Sequence, residues 1–390
     1  MKSVRAAKVR PPRLASLLAQ LLLAAVVLLW VLPTFGLLVS SLRDENQLLT
    51  SGWWRALLPN DRNETARLPL PEAQTQEVLE GQTLYLIQGN LFSDQPGRIL
   101  SFSDSATDID RYRPGERYTP RAGGELSVEA NGDYSWQSAT PFEHSRGPRV
   151  FYSARFAPRF TLQHYWDVMT LNDGLAKPFV NTLSVALPAT IIPITIAAFA
   201  AYAFSWMRFP GRLWLLMGVV ALLVVPLQLS LIPVLRLYNG IANLFDGQGK
   251  TYLGIWLAHT GFGLPLAIYL LRNYMRNLPQ EIMESARVDG ATHFQIFVRI
   301  VLPLSVPALA SFAIFQFLWV WNDLLVSLVF LSSQEAVMTN QIVSLLGSRG
   351  NDWHLLTAGA FISIALPLFV FLALQRYFVR GLLAGSVKGG

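Results

Sequence analysis

Six apolar runs, at about 14 to 41, 179 to 206, 213 to 237, 252 to 271, 304 to 331 and 355 to 378, dominate the 390-residue sequence. Each supplies about 20 mainly apolar residues or more, the length a helix needs to cross a hydrocarbon layer of roughly 30 Å. Composition points the same way, because 52% hydrophobic and 14% charged is too apolar and too weakly charged for an ordinary soluble chain. The expected fold class is an all-α polytopic membrane protein with six transmembrane helices. The first run follows the basic "MKSVRAAKVRPPR", as a secretory signal would. It exceeds the signal core of about 7 to 15 residues and no clear small-residue cleavage site follows, so it is read as a retained anchor.

Charge is unevenly placed. Residues 43 to 177 hold 14 basic and 18 acidic side chains, and the rest of the chain 17 basic and 7 acidic, so the formal net charge of +6 gathers beside the apolar runs and not on a nucleic-acid face. In the short flanks, Lys2, Arg5, Lys8, Arg10, Arg13, Arg208, Arg212, Arg272, Arg276, Arg287, Arg299, Arg376, Arg380 and Lys388 all fall on one side of a six-span arrangement. The opposite short loops, 238 to 251 and 332 to 354, carry Lys250 and Arg349 alone. Positive flanks stay inside, so both termini are expected in the cytoplasm and residues 42 to 178 outside.

That long outer segment contains turn-bounded runs that read as strands: "TLYLIQGNLF", "GELSVEA" followed by "NGDYSWQ" as an Asn-Gly hairpin, and "RVFYSARF". A small β-rich extracytoplasmic domain is expected there, and with no cysteine in the chain it must fold on its core alone. Phe160, Tyr165 and Trp166 in "RFTLQHYWDVM" suit either an interfacial amphipathic piece or the rim of that domain.

Enzyme chemistry finds little footing. "GQGKT" ends like a phosphate-binding loop, but Leu244 stands where its first glycine belongs. Gly261 and Gly263 begin a G-x-G inside an apolar helix, where helix packing is the better reading. The histidines at 144, 164, 259, 293 and 354 show no metal-ligand spacing. His259 in the fourth run, and Asn322 and Asp323 in the fifth, are ionisable or polar groups inside apolar surroundings. They suit a translocation path or interhelical hydrogen bonds equally well.

Between the fourth and fifth runs lies "LPQEIMESARVDGATHFQIFVRIVLPLSVP". Pro279 near a helix start, Glu281 and Glu284 in the first turns and Gly290 as a stop are the punctuation of a short polar helix. Glu284-Ser285-Ala286, three residues, Gly290, nine residues and Ile300-x-Leu302-Pro303 resemble the E-A-A-x3-G-x9-I-x-L-P signature of permease subunits of binding-protein-dependent ABC importers. The core Asp289-Gly290-Ala291 and Pro307 are similar to the carbohydrate-import branch, Ser285 being the one departure. "AAYAFSWMRFPG" and the tail "QRYFVRGLLAGSVKGG" resemble the second permease subunit of the maltose type, and the large outer insert resembles the α-glucoside importers.

The resemblance implies a type I permease: a first helix (1 to 41), a β-rich insert (42 to 178) and a five-helix core (179 to 390) with a cytoplasmic coupling loop at 272 to 303. It implies a bacterial inner-membrane subunit that translocates an α-glucoside such as maltose, sucrose or trehalose. Its partners would be a homologous permease, two ATPase subunits carrying ATP and Mg, an extracytoplasmic sugar-binding protein and membrane lipid. No cofactor, metal or catalytic residue is expected on this chain. The coupling residues would be Glu281, Glu284, Ser285, Ala286, Asp289, Gly290, Ala291, Ile300, Leu302 and Pro303. Gly347 and Gly350 would let the outer loop 332 to 354 bend toward the binding protein. From the residues alone, an ion-coupled secondary transporter and a membrane-anchored ligand receptor remain the alternatives. Against the former stands the scarcity of intramembrane acids.

Overall fold

The computed structural model describes residues 13 to 386 except 80, 81, 94, 144 to 146, 172, 173, 246, 349 and 351. Lys2, Arg5, Lys8, Arg10, His144, Arg349 and Lys388 therefore lie outside the described residues. The chain divides into two compact units, Met1–Leu162 and Gln163–Gly390.

The first unit begins with α1 (Arg13–Leu42), apolar along its length, and a short α2 (Glu45–Thr50) capped by Asp44, whose side chain accepts from Asn46 N. Eight strands follow: β1 (Asn60–Arg67), β2 (Thr75–Leu79), β3 (Gln82–Asn90), β4 (Gly97–Ser103), β5 (Arg117–Tyr118), β6 (Glu125–Val128), β7 (Asp133–Ser138) and β8 (Arg149–Phe156). They form two antiparallel sheets, β1-β8-β4 and β2-β3-β7-β6-β5. In β8, Val150, Tyr152, Ala154 and Phe156 alternate into the core, the period of a half-buried strand. Between β6 and β7 the Asn-Gly hairpin is present. Gly132 takes φ +88°, and Glu129 and Asp133 close a three-residue loop around it, the left-handed position that favours glycine.

The second unit holds α3 (Gln163–Thr170), α4 (Ala176–Trp206), α5 (Arg212–Leu222), α6 (Leu227–Asn243), α7 (Tyr252–Arg276), α8 (Gln280–Val288), α9 (His293–Leu304), α10 (Val306–Trp321), α11 (Leu325–Phe330), α12 (Met338–Ser348) and α13 (Trp353–Ser386). Among the described residues, four helices are long and apolar enough to cross a bilayer unaided: α1, α4, α7 and α13. Two further pairs qualify only together. One is α5 with α6, bent by 106°, and the other is α9 with α10, bent by 70°.

The first bend falls inside the run expected at 213 to 237, and the second at the start of the run expected at 304 to 331. Pro226 heads α6 with ψ 122°, an extended backbone that ends the helical turn before it even though hydropathy runs on. Beyond α10, Asn322 Nδ2 donates to Leu318 O at 2.8 Å and Asp323 Oδ2 accepts from Ser327 N at 3.0 Å. Side chains that bond nearby backbone in this way end one helix and start the next.

α4 and α7 pack along a face of small side chains, Ala186, Ala189, Ala197, Ala198 and Ala201 on α4 and Ala258 and Ala267 on α7. Polar pins hold their ends. Tyr252 Oη donates to Asn181 Oδ1 at 3.0 Å and Trp256 Nε1 to Ser184 O at 2.9 Å. Of the two glycines in the G-x-G, Gly263 is the packing residue: a Cβ there would lie 2.5 Å from Gln316 Oε1 of α10, whereas Gly261 faces open space.

Candidate functional site

The residues between α7 and α10 form a helix, a reversal and a second helix, each closed by its own sequence. Pro279 stands at the N-cap of α8 with φ −57°, and Glu281 lies in the first turn near the positive dipole end. At the other end Gly290 has φ +80°, Ala291 N donates to Ala286 O at 3.0 Å and Gly290 N to Arg287 O at 3.0 Å. This six-to-one and five-to-two pair is a Schellman closure, and it requires the left-handed residue that glycine supplies without strain. Thr292 then opens α9 with a capping box, its Oγ1 accepting from Gln295 N at 3.3 Å while Gln295 Oε1 accepts from Thr292 N at 2.8 Å.

α8 is amphipathic. Met283, 1% exposed, joins a core cluster with Phe204, Leu271, Met275 and Phe297, and Ala286 packs at its edge. Arg287 Nη2 donates to Trp206 O at 3.3 Å, which ties α8 to the end of α4. Glu281, Glu284, Ser285 and Asp289 point outward, and their bonds stay within the helix: Gln280 Nε2 donates to Glu284 Oε1 at 2.6 Å, and Ser285 Oγ to Glu281 O at 2.8 Å. Val288, next to Asp289, is 87% exposed, and Phe294 on α9 is 66% exposed. The sequence gives no signal for either, since a lone apolar residue in a polar turn carries no period.

α9 is pinned to α4 where His293 Nδ1 and Tyr202 Oη share a hydrogen bond of 3.0 Å and Phe297 packs on Phe199 and Tyr202. Residues Phe297–Val301 form a π-turn, and Ile300, Leu302 and Pro303 lie in or just after it. The bend itself falls at Ser305, two residues past Pro303, where Tyr274 Oη of α7 donates to Leu304 O at 3.2 Å. A π-turn followed by a break is a recognised cause of sharp kinks, so the joint is built by backbone geometry as much as by the proline ring.

His259 and Asp323, distant in sequence, meet in the second unit. His259 is wholly buried on α7, its Nε2 lies 3.9 Å from Asp323 Oδ2, and Trp319 stands edge-on at 5.1 Å. Asp323 is occupied with Ser327 N, and its own carbonyl accepts from Thr339 Oγ1 at 2.7 Å. Asn322 is exposed and caps α10. The geometry thus gives Asn322 and Asp323 the work of ending and starting helices. Within the expected outer loop at 332 to 354, Met338–Ser348 form the helix α12; Gly347 lies within it, and neither Gly347 nor Gly350 takes a positive φ.

A helical membrane body that carries a short, acid-faced helix held between two caps is the class defined by this fold and site. Residues 182–383 match the family of the binding-protein-dependent transport system inner membrane component, and the chain belongs to that family. It is a permease component, not an enzyme. It is 58% identical over 367 residues, 94% of this chain and 95% of the relative, to the alpha-glucoside transport system permease protein AglG of Rhizobium meliloti strain 1021. It is also 58% identical over 241 residues, 61% of this chain and 79% of the relative, to the osmoprotective compounds uptake permease protein GgtD of Synechocystis. Among solved structures, a chain of a bacterial ABC transporter that imports the acidic polysaccharide alginate aligns with a TM-score of 0.47 at 21% identity, covering 57% of this chain and 82% of that one.

Proposed function

We propose that this chain is one of two homologous permease subunits of an ATP-driven importer for an α-glucoside such as maltose, sucrose or trehalose. Two ATPase subunits would bind ATP and Mg, and an extracytoplasmic binding protein would deliver the sugar. In this reading each bent pair counts as one crossing and the chain spans the bacterial inner membrane six times. Both termini lie in the cytoplasm, and the β-rich insert lies outside. The substrate class rests on the 58% identity to AglG over nearly the whole of both chains.

The observation that carries the mechanism is α8 itself. Its buried side is anchored by Met283, and Arg287 ties it to Trp206 O, while Glu281, Glu284, Ser285, Val288 and Asp289 along α8 and Phe294 on α9 are exposed. Such a helix docks in a cleft of an ATPase subunit through charge-assisted bonds and apolar contact. Started at Pro279, closed at Gly290 and fixed to α4 and α7, it moves as a rigid body when the ATPases close. The π-turn and the break at Ser305 pass that movement to α10. His259 and Asp323 sit at the far end of α10, where the second break divides it from α11. α12, with Gly347 and Gly350 at its end, is proposed to meet the binding protein.

Deleting the gene should abolish uptake of radiolabelled maltose, sucrose or trehalose, and restoring it should recover at least one. Undiminished uptake of all three in the deletion strain would remove α-glucosides as the substrate. Reporter fusions after Thr140 and Arg380 test the orientation: an external signal at the first and a cytoplasmic one at the second are expected, and the reverse would overturn it.

A further inference from the structure

The chain that follows α1 folds back along it. Arg43, 1% exposed, clasps the return: its Nη1 donates to Ser51 O at 2.8 Å and its Nη2 to Gln47 O at 3.0 Å. Residues 52 to 58 then coil tightly, Ala56 N donating to Trp53 O at 3.0 Å and Leu58 N to Arg55 O at 2.9 Å. Trp53 meets Phe35 of α1 edge-on at 6.0 Å, and a Cβ on Gly36 would fall 2.7 Å from its indole Nε1.

This contact fixes the height of the coil along the helix. α1 is exposed without interruption from Leu14 to Phe35 and first becomes buried at Gly36. That stretch, at about 1.5 Å per residue, is about 33 Å long, close to the roughly 30 Å of a bilayer's hydrocarbon core. Trp53 therefore stands at one edge of that core. Beside it Trp54, Leu57 and Leu58 are 72%, 79% and 55% exposed, whereas Ala56 between them is 4% exposed and faces the protein. Large apolar side chains turned outward at this height have lipid as their neighbour, and tryptophan is the residue enriched where acyl chains meet headgroups.

We infer that Trp53 to Leu58 is a membrane-surface anchor, with Trp54, Leu57 and Leu58 seated in lipid at the outer headgroup boundary, holding the base of the β-rich insert at a fixed height. The inference rests on the reading of α1 as a membrane span. Because the chain contains no cysteine, Leu57→Cys, Leu28→Cys and Val78→Cys each give a unique site for a nitroxide label. Val78, on β2 and 71% exposed, reports water; Leu28, in mid-α1, reports lipid. The full chain is reconstituted into phosphatidylethanolamine–phosphatidylglycerol vesicles, and collision with oxygen is compared with collision with a water-soluble nickel chelate. The oxygen-to-nickel ratio at 57 should be several-fold above that at 78 and below that at 28. A ratio at 57 equal to that at 78, with 28 still in lipid, would overturn the anchor; a water-like ratio at 28 would overturn the span on which it rests.

Discussion

Glu284→Arg should abolish sugar uptake while the chain reaches the membrane at normal levels. The Glu284 carboxylate makes one bond within the chain, from Gln280 Nε2 on its own helix, so the fold loses little by its replacement. Its worth lies in what it meets outside. Reversing one partner of a charge-assisted contact that becomes partly buried costs about 3 kcal/mol, or roughly a hundredfold in affinity. Gly290→Val should also abolish uptake, by a different route. Nothing lies within 4 Å of a Cβ at Gly290, so the damage comes only from forcing a β-branched residue to φ +80°. The Schellman closure opens and α8 is misdirected without losing its acids. Gly290→Asn, which tolerates the left-handed region, should retain much of the activity. Uptake assays at matched expression, with ATPase co-purification as a second readout, separate the two routes: Glu284→Arg loses the ATPase and Gly290→Val retains most of it. Full uptake by both variants would mean that α8 is an ordinary loop helix.

Trp136→Ala should unfold the β-rich body of the first unit. The indole is wholly buried, lies 4.1 Å from the ring of Phe142 centre to centre, and donates through Nε1 to Gly123 O at 2.9 Å. Emptying such a site costs about 3–5 kcal/mol. A small domain without disulfides has little stability beyond that. Limited proteolysis of the full chain in detergent should cut between 60 and 156 in the variant and spare the same region in the wild type. The helical unit should remain intact, because it has its own cores. A protease-resistant variant would show that Trp136 is not central to that core.

The sequence announces some of these elements and hides others for physical reasons. β8 is legible because Val150, Tyr152, Ala154 and Phe156 alternate with outward residues. β1 is not. "NDRNETAR" offers almost no apolar side chain, and its pairing with β8 is supported by contacts across strands, Arg155 gripping Asp61 with Nε and Nη2 at 2.6 and 2.7 Å and Tyr152 Oη donating to Glu64 at 3.0 Å. α8 is legible because Pro279 and Gly290 are local punctuation. The break at Pro226 is marked by its proline, whereas the break at Asn322 is hidden because hydropathy runs on unbroken across it. The meeting of His259 with Asp323 depends on tertiary contacts that no local pattern encodes. Spacing alone marks the residues proposed for coupling, and the structure adds what spacing lacks: Glu281, Glu284, Ser285 and Asp289 are the ones of α8 that face outward.

The central claim is that α8 is where an ATPase subunit attaches, and purification of the tagged chain in mild detergent from cells that express the whole transporter tests it directly. A separate ATPase subunit should come with the wild-type chain in comparable amount and be missing from Glu284→Arg. An ATPase retained equally by both, or absent from the wild type, would contradict the account.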